Sequence, residues 1–292
     1  MSKKEYEMEG DMDTKTIHSQ EAWNKLHARL RDENLVPEQG VKANSSLVYY
    51  GLRIAALALI LLVVGAVIYV NTGRRTEVNM VNLNTHNEAN TLIKTLADGS
   101  VIYIAGNSLF SYPQEFKQGS RNVELKGEAF FDIAPNPARP FIIETEEALV
   151  QVLGTAFNVK TSNGRGFELC VDRGTVKVTL KNDPSHSEMV IAGEKISAVD
   201  NSLVRSKYNA GIDGSWYTQR MHFKDEKLQD IITVLNRNFN TNFVLADNET
   251  GKHKLTVTFQ NETAVTMTGL LCAALNLKSQ TVNGSVVLSE NK

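Results

Sequence analysis

From Ile54 to Val70 the chain reads IAALALILLVVGAVIYV, 17 residues with no polar side-chain atom except the phenol of Tyr69. A segment that is apolar all round has no side to turn to water, so it constrains the fold more than any other stretch. Extending it back over Leu47 to Arg53 gives 24 residues in which Arg53 is the only charge. At about 1.5 Å per residue such a helix covers a hydrocarbon core of roughly 30 Å, and the expectation is one membrane crossing over 47–72. Tyr49, Tyr50 and Tyr69 fall near its ends, where amphipathic rings favour the interface. Arg53 lies close enough to its end to snorkel outward. Some 46 residues precede the run and no small-x-small cleavage site stands out, which argues against a signal peptide. Lys42 and Arg53 on one side balance Arg74 and Arg75 on the other, so charge bias leaves the orientation open.

The rest of the composition excludes more than it assigns. The net charge is -2 over 292 residues, without the cationic excess that a phosphate-binding surface needs, so no direct nucleic-acid contact is expected. Cys170 and Cys272 sit in apolar stretches, FELCV and LLCAAL, and read as buried small hydrophobes. No CxxC and no His/Cys cluster has metal-ligand spacing, and no nucleophile elbow or phosphate loop is present. His18, His27, His86, His186, His222 and His253 are scattered in mostly polar context. NGRG at 163–166 reads as a turn, as do Asp98-Gly99 and Asn107. No metal, no cofactor and no catalytic constellation is expected.

Ahead of the apolar run, residues 1–46 form a mildly acidic arm. Its first fifteen residues have almost nothing to bury and are expected to be disordered. Within HSQEAWNKLHARLRDENLVP, Trp23, Leu26 and Leu30 recur at i, i+3 and i+7, a one-sided stripe on a short helix. Ser19 is a plausible N-cap and Pro37 blocks continuation. A lone amphipathic helix of this length is marginal in water, so the stripe needs a partner, and its acidic polar face favours a protein over an anionic lipid surface.

Beyond the run, Asn71 to Asn90 is polar and reads as a linker (73–91). From Leu92 the chain changes to short β-like runs about ten residues apart, which predicts an all-β sandwich, barrel or coil over 92–205. VIYIAG alternates; NVELKGEAFFDIA puts Val123 and Leu125 on one face with a break at Gly127; FELCVDRGTVKVTL reads as a hairpin around Asp172-Arg173-Gly174. A second texture covers 215–292. MHF, NFVLA and KLTVTF read as strands; Leu228, Ile231, Ile232 and Leu235 face inward from one helix, and Met267, Leu270, Leu271 and Leu275 from another. The final SQTVNGSVVLS reads as a hairpin with Asn283-Gly284 in a type I′ turn. The order is βαβ then βαββ, a small α+β module whose halves hint at an internal repeat. The expected fold class is therefore a multi-domain membrane protein: a short α N-terminal arm, a single transmembrane helix, an all-β domain and a small C-terminal α+β domain.

Several of these stretches, in order, resemble the periplasmic domain of FecR-type anti-sigma regulators: LADGSVIYIAGNSLFSYP, GEAFFDIA followed by RPFIIET, VQVLGTAFNV, and RGTVKV with a later AGEK. Residues 221–292 are similar to the small C-terminal domain appended to such proteins in Bacteroidetes-type bacteria, itself similar to the signalling domain of secretins and outer-membrane receptors. The arm with AWNKLHARL matches the family's sigma-binding segment over a shorter stretch. The resemblance implies an inner-membrane protein with its N-terminus in the cytoplasm and its C-terminal domains in the periplasm. Its partners would be an extracytoplasmic-function sigma factor and the signalling domain of a TonB-dependent outer-membrane receptor. Trp23, Leu26 and Leu30 would then contact the sigma factor, with Trp23 as the hot spot. The receptor would add a strand to a free sheet edge, for which Ser285, Val286, Val287 and Leu288 are the candidate. The competing reading is an envelope adaptor that assembles with an outer-membrane channel and tolerates loss of the arm stripe.

One chemical possibility attaches to VLGT. Some FecR-like regulators are cut at a Gly-Thr peptide in a similar motif, where the hydroxyl attacks the preceding carbonyl in an N-to-O acyl shift. Here those residues are Gly154 and Thr155. The alternative is that Gly154 permits close packing and Thr155 is a β-former.

Overall fold

Alternation of apolar and polar residues lays down the first layer. β5 (Arg121–Lys126), β8 (Ala148–Val152) and β11 (Thr175–Leu180) bury every second side chain, as the two-residue period of a strand requires. With β1 (Met80–Asn84), β4 (Leu109–Pro113), β7 (Phe141–Glu144) and β12 (Ser187–Ile191) they form a seven-stranded sheet ordered β1-β4-β5-β7-β8-β11-β12. The second sheet takes β2 (Thr91–Thr95), β3 (Val101–Ile104), β6 (Glu128–Asp132), β9 (Ala156–Ser162), β10 (Gly166–Arg173), β13 (Glu194–Val199) and β14 (Ser202–Lys207). Two later strands, β15 (Arg220–Lys227) and β17 (Lys254–Gln260), extend it to nine in the order β14-β13-β10-β9-β6-β3-β2-β15-β17. Phe110, Phe131, Phe141, Phe157, Val150 and Val178 share the core that these two sheets enclose.

This computed structural model describes residues 21–33, 45–73, 79–86, 90–116, 119–162, 166–200, 202–209 and 216–291. The chain divides into two units, Met1–Thr76 and Glu77–Lys292. The first contains α1 over 21–32 and α2 (Ser45–Gly73). The second contains both sheets and the C-terminal elements: α3 (Trp216–Gln219), α4 (Leu228–Phe239), β16 (Phe243–Leu245), α5 (Asn248–Gly251), α6 (Ala264–Leu275), β18 (Leu277–Val282) and β19 (Ser285–Glu290). β16, β19 and β18 make a separate three-stranded sheet in that order.

The C-terminal elements cover the outer face of the nine-stranded sheet. Leu228, Ile231, Ile232 and Leu235 lie along one face of α4, at the spacing a helix needs to bury one side. Together with Met267 and Leu271 of α6 they pack in a second core that includes Ile93, Val101, Tyr103, Phe130 and Ala156 of the sheet. α4 ends at Asn240, whose φ of 51° supplies the left-handed cap. Asn283 and Gly284, at φ 50° and 80°, make the I′ turn between β18 and β19.

Several sequence expectations are corrected. Among the described residues no helix is long and apolar enough to cross a membrane, which overturns the single-span membrane fold class. The stretch read as a linker contains β1, paired antiparallel with β4. β10 and β11 form no hairpin: β10 bonds to β9 and β13, while β11 bonds to β8 and β12. The chain changes sheet at Gly174, whose φ of 88° and tight fit against Thr155 Cγ2 admit no side chain. Gly127 does the same between β5 and β6, at φ 103° against Ser108. β3 is buried on both faces, not one, because the C-terminal elements cover its outer side. Leu270 points outward from α6. Ser19, Pro37, Arg74, Arg75, the first fifteen residues and most of NGRG lie outside the described residues.

A fully buried cation ties the β2–β3 turn to β5. Arg121 Nη1 donates to Asp98 Oδ2 at 2.5 Å and to Ala134 O at 3.0 Å, and Nε donates to Arg139 O at 2.9 Å. Its guanidinium lies 5.3 Å from the centroid of the Phe141 ring. Asp98 also accepts from Ser100 N and Oγ, so the expected turn residue doubles as the counter-ion. Asp98→Ala leaves that cation buried and unpaired and is expected to cost about 3–5 kcal/mol, read as a lowered urea midpoint.

Candidate interaction surfaces

The arm stripe is present as geometry. Trp23 is 59% exposed and Leu26 47% on α1, with Leu30 half-buried one turn on. Trp23 packs on His27 at 5.4 Å between ring centroids, which leaves most of the indole in solvent. An exposed Trp-Leu ridge on a short helix is a surface that a protein groove can accept.

The expected free edge at Ser285, Val286, Val287 and Leu288 is not an edge. β19 is the central strand of its sheet, parallel to β16 on one side and antiparallel to β18 on the other. Its backbone groups are consumed in both ladders and Leu288 is fully buried, so no incoming strand can pair there. The outer strands of that sheet are β16 and β18.

Gly154 and Thr155 lie between β8 and β9. A Cβ on Gly154 would meet Pro135 Cα at 2.6 Å, so the absence of a side chain is what lets the 133–136 segment approach. Two hydrogen bonds hold that approach: Ile133 N to Thr155 O at 2.9 Å and Asn136 N to Leu153 O at 2.7 Å. Thr155 is buried, and its hydroxyl makes no hydrogen bond within the described residues. The packing role is thus visible in full, while no base is seen to activate the hydroxyl.

Sequence reasoning missed the seam between β2 and β15. Lys94 Nζ donates to Glu226 Oε1 at 2.5 Å across 132 residues of chain. Burial lowers the Lys94 pKa, but the Glu226 hydrogen bond and charge outweigh it and leave the lysine above its ordinary value. Burial raises the Glu226 carboxyl, against the opposing pull of Lys94. Nearby, Arg237 Nη1 donates to Asp132 Oδ2 at 3.1 Å and Nη2 to Gly99 O at 3.1 Å. Asn238 Nδ2 donates to the Tyr103 hydroxyl at 2.7 Å, and Tyr217 stacks on Phe130 at 4.0 Å. Burial pushes the Tyr217 hydroxyl up to about 12, with the charges of Asp172 and Asp132 adding to the effect. The one sequence signal for this seam was the unbroken apolar run in VIYI, which matches burial on both faces.

The family model described as FecR protein matches residues 81–177, and that described as FecR, C-terminal matches 220–288, together more than half of the chain. The chain belongs to the FecR family of anti-sigma factors. Comparison with curated proteins finds no match. Among solved structures, two crystal structures of a protein of Parabacteroides distasonis ATCC 8503, provisionally assigned as an anti-sigma factor, are similar at 24% identity and a TM-score of 0.45. They were determined at 2.50 and 1.65 Å, and the similarity covers 73% of this chain and 100% of that one. That likeness is too remote to bear on function.

Two outcomes follow from this geometry. Glu226, raised in the folded state, favours folding below its ordinary pKa of 4.5, and that contribution is lost as pH rises through the higher folded value. Lys94→Met lifts Glu226 further, so the variant's deficit in urea midpoint is expected to be larger at about pH 8 than at about pH 5. Equal deficits would show that the pair acts through packing alone. Wild type and Thr155→Ala are each expected to give a single intact mass, whereas two fragments from wild type alone would identify Thr155 as a nucleophile.

Proposed function

We propose that this protein is a regulator that holds an extracytoplasmic-function sigma factor through Trp23, Leu26 and Leu30 and takes its signal from the signalling domain of a TonB-dependent outer-membrane receptor. The observation that carries the reading is the family match over both 81–177 and 220–288. The exposed ridge on α1 supports the sigma-factor half, because an indole this open to water gains most when a partner covers it. For the receptor half, the support is the appended α/β module, which presents an outer strand at β16. In this reading the arm acts on the cytoplasmic side and the two-sheet unit in the periplasm. Its chemistry is transfer of binding energy between surfaces and needs no catalytic group.

Affinity capture with the full chain as bait, followed by identification of the bound proteins, tests this. Recovery of a sigma factor is expected, with Trp23→Ala weakening the complex by about 2 kcal/mol or more. Failure to recover one with a folded chain would transfer the weight to an envelope adaptor, in which the ridge is dispensable.

A further inference from the structure

β18 is an outer strand that lacks the usual protections of a sheet edge. It runs six residues, Leu277–Val282, in unbroken register with β19, without proline and with Lys278 as its one charge. Leu277 is buried and the other five side chains are exposed, so the strand projects beyond the core on both faces. Next to it, α6 turns Val265, Gly269, Leu270, Ala273 and Ala274 to solvent, Val265 at 78% and Leu270 at 48% exposure. No residue of α6 is charged. The edges at β12, β14 and β17 carry ion pairs: Arg205 of β14 clasps Glu188 of β12, and Lys254 of β17 pairs with Asp225.

Hairpin parity decides which backbone groups are available. A two-residue I′ turn makes Val282–Ser285 a hydrogen-bonded pair, so Gln280 and Lys278 also bond toward β19. Asn276 keeps the same parity, its carbonyl accepting from Asn291 N at 3.0 Å. The N–H and C=O of Leu277, Ser279 and Thr281 therefore point out along the edge. An antiparallel partner must set outward residues opposite outward residues. A twofold axis at Ser279 does so, with Leu277 facing Thr281 and Lys278 facing Gln280 of the other copy. The two lysines are kept apart, and two neutral α6 faces flank the joined sheet. A strongly charged partner would instead bury its charges unpaired against α6.

We propose that β18 and the outer face of α6 form a twofold self-association surface, on which a second copy of this chain adds its β18 antiparallel to the first. The proposal goes beyond the binding of sigma factor and receptor and stands without it. Sedimentation of the full chain is expected to show a dimer, and Ser279→Cys to give a disulfide-linked dimer on mild oxidation above the background from Cys170 and Cys272. Thr281→Pro removes an outward N–H without touching the β19 ladder, and is expected to abolish the dimer while the monomer keeps the wild-type far-ultraviolet circular dichroism. Leu270→Glu, at an exposed position, provides a second disruption should proline perturb the hairpin. A monomeric wild type overturns the proposal. So does a dimer that survives both Thr281→Pro and Leu270→Glu, which would place association elsewhere, such as on the exposed apolar side chains of α2. A monomer that instead takes an isolated receptor signalling domain on β18 overturns it as well.

Discussion

Three residue pairs of parallel strand, Met221–Thr91, His222–Leu92 and Phe223–Ile93, determine how the larger unit is built. By joining β15 to β2 they continue one sheet from the N-terminal strands into the C-terminal elements, and they bring α4 and α6 over that sheet's outer face. Val101, Tyr103 and Phe130 are buried there only because those helices arrive. Without the join, the centre of the nine-stranded sheet would present a large apolar patch to water, a liability for a monomer. The sheet is consequently apolar on both sides at β3 and β6, while the seven-stranded sheet keeps the one-sided alternation of a water-facing layer.

Buried charge is used sparingly and at joints. Arg121 is enclosed beneath the Asp98 turn, and Lys94–Glu226 closes the seam beside the parallel pairs. In each case the partners come from distant parts of the chain, so an unpaired charge in a misaligned strand would be costly to bury. Such pairs favour one register over its neighbours. The exposed pairs, Lys252–Glu249 among them, do little by comparison, since solvent screens them.

How far the sequence could be read varies with the range of the interaction involved. The faces of α4, the alternation of β5 and the I′ turn at Asn283-Gly284 depend on neighbours a few residues away, and each appears as expected. Asp172-Arg173-Gly174 looks like a local hairpin because a glycine after polar residues signals a turn. The turn is real, but it carries the chain from one sheet to the other, a choice made by β9 and β8 waiting on either side. Ser285 to Leu288 reads as a terminal strand, and terminal strands are often edges; here β16 closes the open side from forty residues upstream, a parallel pairing that no local pattern announces. The ridge of Trp23, Leu26 and Leu30 was legible because a helix places i, i+3 and i+7 together without help.

The amino-acid sequence by itself determined the local periods of most strands and helices and the ordered motifs that mark the family; β1, the second buried face of β3 and the outward turn of Leu270 escaped it. Side-chain periodicity and turn chemistry act within a few residues, so they survive being read one segment at a time. Only the tertiary structure decided which sheet each strand joined, that the C-terminal module shares a sheet with the domain before it, and which edges remain free. Those outcomes rest on pairings between segments far apart in the chain, where several partners satisfy the same local pattern and the buried face that closes best selects among them.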